Sequence, residues 1–195
     1  ATSMGGPMGR RDVAIFVARG VRPGPTLCIT SAIHGDEVNS VEIARRVFAS
    51  VDSRQMSGML VVMPAVNSYG FRTKGRNMPD RRDLNRAFPG NLNGSVASIV
   101  AAEVFGRVIK DCSYLIDLHT GSNLRTNLPQ VRVDTDNAKA LELASNFGVG
   151  IVVAGLAALT AVSVVALPFY GDDPGSPALP LITIALWVFF AGAAW

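Results

Sequence analysis

The sequence predicts an α/β fold, built on a mixed, mostly parallel sheet with flanking helices. Three observations predict it: short apolar runs typical of buried strands, stretches with apolar residues at helical spacing, and an alternation of the two along the chain. Strands that alternate with helices indicate βαβ units, whose strands lie parallel in one sheet. Because ligands bind beyond the carboxyl ends of such strands, polar residues at those ends are the first candidates for a functional site.

The predicted strands are apolar runs that are too short for helices and are bounded by polar residues, Gly or Pro. They cover residues 12–18, 26–33, 58–66, 113–118 and 131–133. The sequence RPGP at residues 22–25 is predicted to form a turn, because Pro and Gly are the strongest local breakers of regular structure.

Three helices are predicted, at residues 38–50, 95–110 and 137–147. The first is amphipathic, with apolar residues at helical spacing from Val38 to Phe48 and charged residues between them. Ser95 is a typical N-cap for the second. The connection at residues 67–93 shows no sustained period and is rich in Gly, Pro, Asn and Arg, so a long loop is predicted. A loop of this length in a small domain usually serves a function.

Composition divides the chain into two unlike parts. Hydrophobic residues make up 49% of the chain and charged residues 17%, which excludes disorder of the chain as a whole. Beyond residue 148 the charged residues are Asp172 and Asp173 alone. We therefore expect an α/β domain at residues 1–150 and an apolar tail at residues 151–195.

Charge and cysteine content exclude several other functions. A net charge of +3 is too small to predict nucleic-acid binding. Two cysteines, Cys28 and Cys112, exclude a disulfide scaffold and a Cys-rich zinc site. Both lie in apolar runs, so we expect buried free thiols in a reducing compartment. Residues 1–12 hold no apolar core of the kind that a signal peptide needs, and a cytoplasmic domain is expected.

Both histidines of the chain stand at the ends of predicted strands. His34 follows one strand and precedes Glu37 by three residues, and His119 follows another strand. A His and a Glu so spaced at a strand-to-helix turn can face one point, and a ligand from a neighbouring strand end completes the three protein ligands of catalytic zinc. The residues therefore predict one Zn²⁺ per chain at His34, Glu37 and His119, with plain structural histidines as the alternative.

Two further features surround this predicted centre. Asp117 lies two residues before His119, so both side chains would point to the same side of a strand, and its carboxylate could orient the imidazole. The alternative for Asp117 is a solvated or capping carboxylate.

The loop at residues 67–93 is rich in Arg, which usually means a solvated face. Beside a metal, it favours a substrate with a carboxylate and a scissile carbonyl.

Three motifs in this order resemble those of a known family. They are AIHGDE at residues 32–37, Arg76 followed by DLNRAFPG at residues 83–90, and DLHTG at residues 117–121. Together they resemble the succinylglutamate desuccinylase/aspartoacylase family, which is related to the zinc carboxypeptidases, over residues 12–150. The resemblance implies a zinc carboxypeptidase-like α/β domain of which the N-terminal part alone is present.

The resemblance also implies roles for individual residues. They are zinc binding by His34, Glu37 and His119, polarisation of the scissile carbonyl by Arg76, and capture of the substrate carboxylate by Asn85 and Arg86. Family members hydrolyse N-acyl amino acids or similar small amides. A small N-acyl compound with a carboxylate is therefore the expected substrate of a zinc-dependent deacylase.

The sequence departs from the family pattern at two places. Asn67-Ser68 stands where many members have Asn-Pro. The family also has a general-base glutamate in a Glu-Ala-Gly-like sequence on a later strand. Here the one glutamate after His119 is Glu142, in the predicted helix at residues 137–147, so no residue is assigned as the base. Hydrolysis is expected to be impaired, and the alternative function is a non-catalytic, membrane-attached remnant of the fold that binds metal or ligand.

Three interpretations of the apolar tail are open. Residues 149–170 are long enough to span a bilayer, residues 179–195 are marginal, and a turn sequence at residues 171–177 separates them. A membrane hairpin would anchor the cytoplasmic domain, because its connecting loop has no Lys or Arg and could cross. The other two are strands and helices that complete the sheet, and a chimeric or frameshifted end that replaces the family's C-terminal half.

Overall fold

Helices and strands alternate through most of the computed structural model, which describes residues 2–4, 11–122, 125, 127–147, 149–154, 163–165 and 186–189. The strands are β1 (Thr2–Met4), β2 (Arg11–Val13), β3 (Phe16–Arg19), β4 (Arg22–Ser31), β5 (Ser57–Met63), β6 (Tyr114–His119), β7 (Gln130–Val133), β8 (Val152–Ala154), β9 (Ser163–Val165) and β10 (Leu186–Phe189). The helices are α1 (Val38–Ser50), α2 (Ser68–Thr73), α3 (Val96–Arg107) and α4 (Ala138–Ser145), with 3₁₀ turns at Ser53–Gln55, Leu84–Arg86 and Ile109–Asp111.

The main sheet is mixed, with parallel pairing at its centre. β4 pairs in parallel with β5 on one side and with β6 on the other, and β3 joins β5 antiparallel. β9 pairs in parallel with β6 and antiparallel with β7, and β8 joins β7 in parallel. The mixed α/β class predicted from the sequence is confirmed. In the register of β4 and β6, Ser31 lies opposite Leu118, so the carboxyl ends of these two strands are level.

Helices cover both faces of the sheet. One core packs Ile43 of α1 and Ala144 of α4 against Val62 and Ile116 of the sheet. A second core packs the buried side of α3 against the opposite face, where Met63 is fully buried. Neighbouring apolar residues of one strand contribute to different cores, because successive strand residues point to opposite faces of the sheet.

Most elements lie where the sequence predicts them. α1 spans the predicted residues 38–50, and Ser95 is confirmed as the N-cap of α3, with its hydroxyl accepting from the Ser98 N–H. The Asp80 carboxylate accepts from the Ala97 N–H at 2.9 Å and ties the long connection to the start of this helix. Glu142 lies on α4, as predicted.

Two local predictions are wrong. Residues 22–25 belong to β4 and not to a turn, because the Arg22 side chain donates to Ser57 Oγ and Gln55 O and holds the segment on β5 across a shift in register. The connection at residues 67–93 contains α2, which starts where the Asn67 side chain accepts from the Gly70 N–H at 2.8 Å. A helix of six residues is too short to show a hydrophobic period.

The two cysteines correct a third prediction. Cys28 and Cys112 are buried as expected, but they form a disulfide, with their Cα atoms 5.9 Å apart. The Ile109–Asp111 turn leads into β6 directly beside β4, and this brings Cys112 against Cys28 in the second core. The sequence separation of 84 residues carries no signal of this pairing.

The structure covers a small part of the predicted apolar tail. β8, β9 and β10 lie in it, and each pairs with a strand of the main sheet. The rest of the predicted spans, at residues 155–162, 166–185 and 190–195, falls outside the described residues. Within the part that is described, no helix has both the length and the apolar character that crossing a membrane requires. The boundary at residue 150 stays a prediction.

Candidate metal centre

The three predicted ligands meet at the carboxyl edge of the sheet. His34 lies just after β4, Glu37 directly precedes α1, and His119 is the last residue of β6. All three side chains are buried, and one potential ligand atom from each lies within 4.8 Å of the others. They meet because β4 and β6 are neighbouring parallel strands whose ends are level.

The turn between β4 and α1 aims two of these side chains. Ala32 has a φ of 46°, in the left-handed region that costs a non-glycine residue about 1–3 kcal/mol, and it is completely buried. The Ser40 hydroxyl accepts from the Ala32 N–H at 3.1 Å and donates to Glu37 O. These bonds fold the turn back onto the start of α1, so that His34 and Glu37 face the same side.

The Glu37 carboxylate lies between the two imidazoles. Its Oε1 is 2.8 Å from His34 Nδ1, and its Oε2 is 2.9 Å from His119 Nδ1. The Thr120 backbone N–H also donates to Oε2, at 3.0 Å. The centroids of the two rings are 4.9 Å apart. Both Nδ1 atoms therefore point to one place, where the carboxylate already is.

Each imidazole has a second carboxylate at its other nitrogen. His119 Nε2 is 2.7 Å from Asp117 Oδ2, and His34 Nε2 is 3.2 Å from Asp83 Oδ1. A carboxylate at Nε2 keeps the proton on that nitrogen and fixes the plane of the ring. The structure thus brings Asp117 into contact with His119, and its orienting role stays a prediction.

The close packing of acids and imidazoles displaces their pKa values. Burial lowers the pKa of His119, but the charges and hydrogen bonds of Asp117 and Glu37 outweigh it and raise the pKa to about 9. Burial also lowers the pKa of His34, and hydrogen bonds to Asp83 and Glu37 reverse this to a raised value. For Glu37, burial raises the pKa, while hydrogen bonds from both imidazoles prevail and bring it down to about 2.

Arg76 lies at the rim of this cluster. Its guanidinium is 3.2 Å from Asp83 Oδ2 and 3.5 Å from Glu37 Oε1, and the side chain is 42% exposed. The hydrogen bond to His34 and the charge of Arg76 both hold the pKa of Asp83 well below its usual range. Arg76 therefore carries a positive charge at the solvent side of a buried, acid-rich site.

Backbone contacts hold Arg76 in place. The Asn67 side-chain amide and the Gly35 N–H both donate to Arg76 O, at 3.1 and 3.3 Å. Gly35 lies against Gly70, where an added Cβ would stand 2.0 Å from the Gly70 carbonyl carbon. Any larger residue at position 35 would push the long connection away from the His34 turn.

Asn85 and Arg86 follow Asp83 in the Leu84–Arg86 turn. The Asn85 N–H donates to Asp83 Oδ1 at 2.9 Å, and Leu84 is completely buried, so the turn is anchored beside the cluster. Arg86 is exposed and Asn85 is partly buried. Capture of a substrate carboxylate by these two side chains stays a prediction.

Sequence reasoning missed three groups at this site. They are Asp83, the Thr120 backbone N–H and Thr30, whose hydroxyl donates to Asp117. Asp83 had a detectable signal, since it opens the DLNR sequence that supplies Asn85 and Arg86. Thr30 had a weaker one, as a polar residue inside an apolar strand. A backbone N–H has no sequence signal.

The donor set fits a zinc ion. Two imidazoles and a carboxylate are ordinary zinc ligands, and the three together leave a fourth position for water or substrate. Ligand atoms at about 2 Å from a tetrahedral ion are about 3.3 Å from one another. The candidate ligand atoms of His34, Glu37 and His119 lie within 4.8 Å of one another, so small movements of the side chains would bring them to this spacing. The carboxylates at Nε2 match the partners that metal-binding histidines usually have.

Fold and site together define an α/β protein with a candidate metal centre at the carboxyl edge of its sheet. A model of the succinylglutamate desuccinylase/aspartoacylase catalytic domain matches residues 23–166. The chain therefore belongs to the succinylglutamate desuccinylase/aspartoacylase family, as its motifs predict.

Several known proteins are similar to this chain. It is 31% identical over 132 residues to N-alpha-acetyl-L-2,4-diaminobutyric acid deacetylase from Halomonas elongata, covering 64% of this chain and 38% of that protein. The crystal structure of succinylglutamatedesuccinylase/aspartoacylase from Rhodobacter sphaeroides has a TM-score of 0.68 and 26% identity, covering 75% of this chain and 46% of the other. The product-bound ectoine utilization protein EutE (DoeB) from Ruegeria pomeroyi has a TM-score of 0.67 and 27% identity, covering 76% and 47%. The chain thus spans less than half the length of these relatives.

The displaced pKa values predict how the stability of the chelator-treated chain depends on pH. The folded-state pKa of His119 is about 9 against an ordinary 6.5, so its contribution is fully present below 6.5 and is lost as the pH rises through about 9. We expect the Tm to fall over this range. The pKa of His34 is also raised, so His34 contributes in the same direction, and His119→Gln should reduce the fall without abolishing it. Glu37 contributes above its ordinary 4.5 and adds no slope here. A Tm that stays level or rises in the wild-type chain would contradict the assignment.

Proposed function

We propose that the chain is the zinc-binding part of a deacylase for small N-acyl amino acid-like amides. The observation that carries this proposal is the Glu37 carboxylate between two imidazoles whose Nδ1 atoms both face it. Support comes from the family to which the chain belongs and from its relative in Halomonas elongata, which is named as a deacetylase of an N-acetylated amino acid.

In this proposal His34, Glu37 and His119 hold one Zn²⁺, and Asp83 and Asp117 keep the Nε2 protons on the two rings. When bound, zinc supplies Lewis-acid activation of the scissile carbonyl and of the attacking water. The histidines bind through Nδ1, because the carboxylates occupy Nε2. Both imidazoles must be unprotonated at Nδ1 to bind the ion, so zinc binding should release protons and depend on pH.

Arg76 is proposed to stabilise the negative charge that develops on the scissile carbonyl oxygen. A cation that is already in place costs no reorganisation when that charge forms. The ion pair with Asp83 and the bonds to the Arg76 backbone provide this fixed position. Its partial exposure leaves the guanidinium accessible to a substrate from solvent.

Asn85 and Arg86 are proposed to bind the substrate carboxylate. A guanidinium can make two parallel hydrogen bonds to a carboxylate, which gives both energy and orientation. The turn that carries them is fixed to Asp83 and so to the metal centre. This would select N-acyl amino acids over simple amides.

A second candidate function is binding of metal and ligand without efficient turnover. Glu142 is the one glutamate that follows His119 in the sequence, and it lies exposed on α4. General acid–base assistance is worth about 10²–10⁴-fold in rate. Turnover assays therefore separate the two functions, while both require the zinc site.

The purified chain is expected to hold about one zinc ion, measured by elemental analysis after removal of loosely bound metal. His34→Ala removes one of three protein ligands and should remove most of the zinc. Glu42→Gln, which changes a partly exposed carboxylate on α1 away from the site, serves as the matched control and should leave the content unchanged. Equal zinc in the His34 variant and the wild-type chain would refute the proposed ligand set.

Arg86→Ala is expected to weaken binding of a carboxylate-bearing N-acyl amino acid by about 1.5–3 kcal/mol, the scale of a hydrogen bond to a charged group. The matching neutral amide should bind equally well to both proteins, as measured by calorimetry. Arg72→Ala, another exposed arginine of the long connection, controls for the loss of one positive charge. Equal losses for the acid and the amide would show that Arg86 does not read the carboxylate.

Hydrolysis of a panel of N-acyl amino acids by the zinc-loaded chain is expected to be at least ~10²-fold slower than by a family member with the Glu-Ala-Gly-like base, because no residue of this sequence is assigned to that role. Glu142→Gln should leave any remaining rate unchanged. Ordinary turnover of about 1–10³ per second would mean that another group supplies the base. A large drop on changing Glu142 would place that carboxylate at the reaction centre.

A further inference from the structure

Thr30 is a polar residue in the buried centre of the sheet, on the strand that leads to His34. It is completely buried in β4, and its register partner in β6 is Asp117. The Thr30 hydroxyl is 2.8 Å from Asp117 Oδ1. The other oxygen of the same carboxylate, Oδ2, is 2.7 Å from His119 Nε2. A continuous hydrogen-bonded chain therefore leads from Thr30 through Asp117 to His119.

The direction of these bonds follows from the groups involved. An ionised carboxylate can only accept, so the Thr30 hydroxyl and the His119 Nε2–H both donate to it. The hydroxyl has one proton, and its alternative acceptor, Ile116 O, is farther away at 3.4 Å. Asp117 is completely buried, so an oxygen that lost its donor would have no ready contact with bulk water. Such a loss in a buried site costs about 1–3 kcal/mol, or more for a charged group.

We infer that Thr30 is a positioning residue for metal binding, which acts on His119 through Asp117. This inference rests on the proposed zinc site. The β-branched side chain of Thr30 has few rotamers, so its hydroxyl is held in a fixed position beside the Asp117 carboxylate. With Oδ1 held there, Oδ2 stays in line with His119 Nε2, and the imidazole keeps Nδ1 aimed at the Glu37 carboxylate. Without the hydroxyl, the carboxylate rotates to recover a donor and the imidazole loses its alignment.

The test is the zinc dissociation constant of the full chain, measured by competition with a chromophoric chelator. Thr30→Val keeps the shape of the side chain and removes the donor, and zinc binding should weaken about 10–100-fold, the usual effect of losing an outer partner of a ligand. Thr30→Ser keeps the hydroxyl and should restore most of the affinity. Ser31→Ala is the matched control, because it removes a neighbouring, completely buried hydroxyl that donates to Pro64 O instead.

A double-mutant cycle shows whether Thr30 acts through Asp117. Asp117→Asn should itself weaken zinc binding, and adding Thr30→Val to it should cost little more, because the path is already broken. Additive losses of zinc affinity would show that Thr30 does not act through Asp117 and would overturn the inference. Equal zinc affinity of Thr30→Val and the wild-type chain would also overturn it, as would an equal loss in Ser31→Ala. A wild-type chain that binds no zinc would instead refute the proposed function, and the inference with it.

The wild-type chain provides an independent measurement if Thr30→Val does not fold. A buried hydroxyl that donates to a carboxylate should exchange slowly and give a resolved proton resonance. Zinc draws charge from His119 and so changes the Asp117 carboxylate that Thr30 contacts. We expect the Thr30 hydroxyl resonance to shift on addition of zinc. The hydroxyl resonance of Ser31, which is also completely buried but donates to Pro64 O, should stay in place. A Thr30 resonance that zinc does not move would overturn the inference.

Discussion

The bridge from the Glu37 carboxylate to the two imidazoles is the interaction on which the rest of the site depends. It requires β4 and β6 to be parallel neighbours with level ends, because His34 and His119 come from these two strands. It also requires a tight turn into α1, for which Ala32 adopts a left-handed conformation. The central part of the sheet can therefore be understood as a frame that brings one carboxylate and two rings to a single point.

Such a cluster of charges is costly to bury unless each group is compensated. Three carboxylates, those of Glu37, Asp83 and Asp117, surround two imidazoles, and Arg76 adds one further positive charge at the rim. The raised pKa of His119 and the lowered pKa of Glu37 express the same balance, in which protons on the rings offset the acids. A divalent cation would likewise offset the buried acids, so the donor set suits zinc by charge as well as by geometry.

Much of this arrangement could be predicted from the sequence, for physical reasons that differ between residues. The helical spacing of its apolar residues predicts α1, and His34 and His119 can be recognised as polar residues at the ends of apolar runs. Asp83 was missed because it reaches His34 from 49 residues away, in a connection without periodicity. The Cys28–Cys112 disulfide was missed because burial alone does not distinguish a thiol from a disulfide, and their pairing depends on which strands are neighbours.

Metal binding and turnover depend on different parts of this fold. The ligands and partners described above for the proposed zinc site lie between Thr30 and Thr120, on or next to the paired strands of the central sheet. Hydrolysis also needs a general base, and no residue among those described is assigned to that role. Asp83 contacts both His34 and Arg76, so a change there should affect affinity and rate together. Thr30 and Asp117 act on His119, so their contribution is to metal affinity, whatever the source of the base. The site can thus be complete as a binding centre before it is complete as a catalyst, and affinity and rate should respond to separate substitutions.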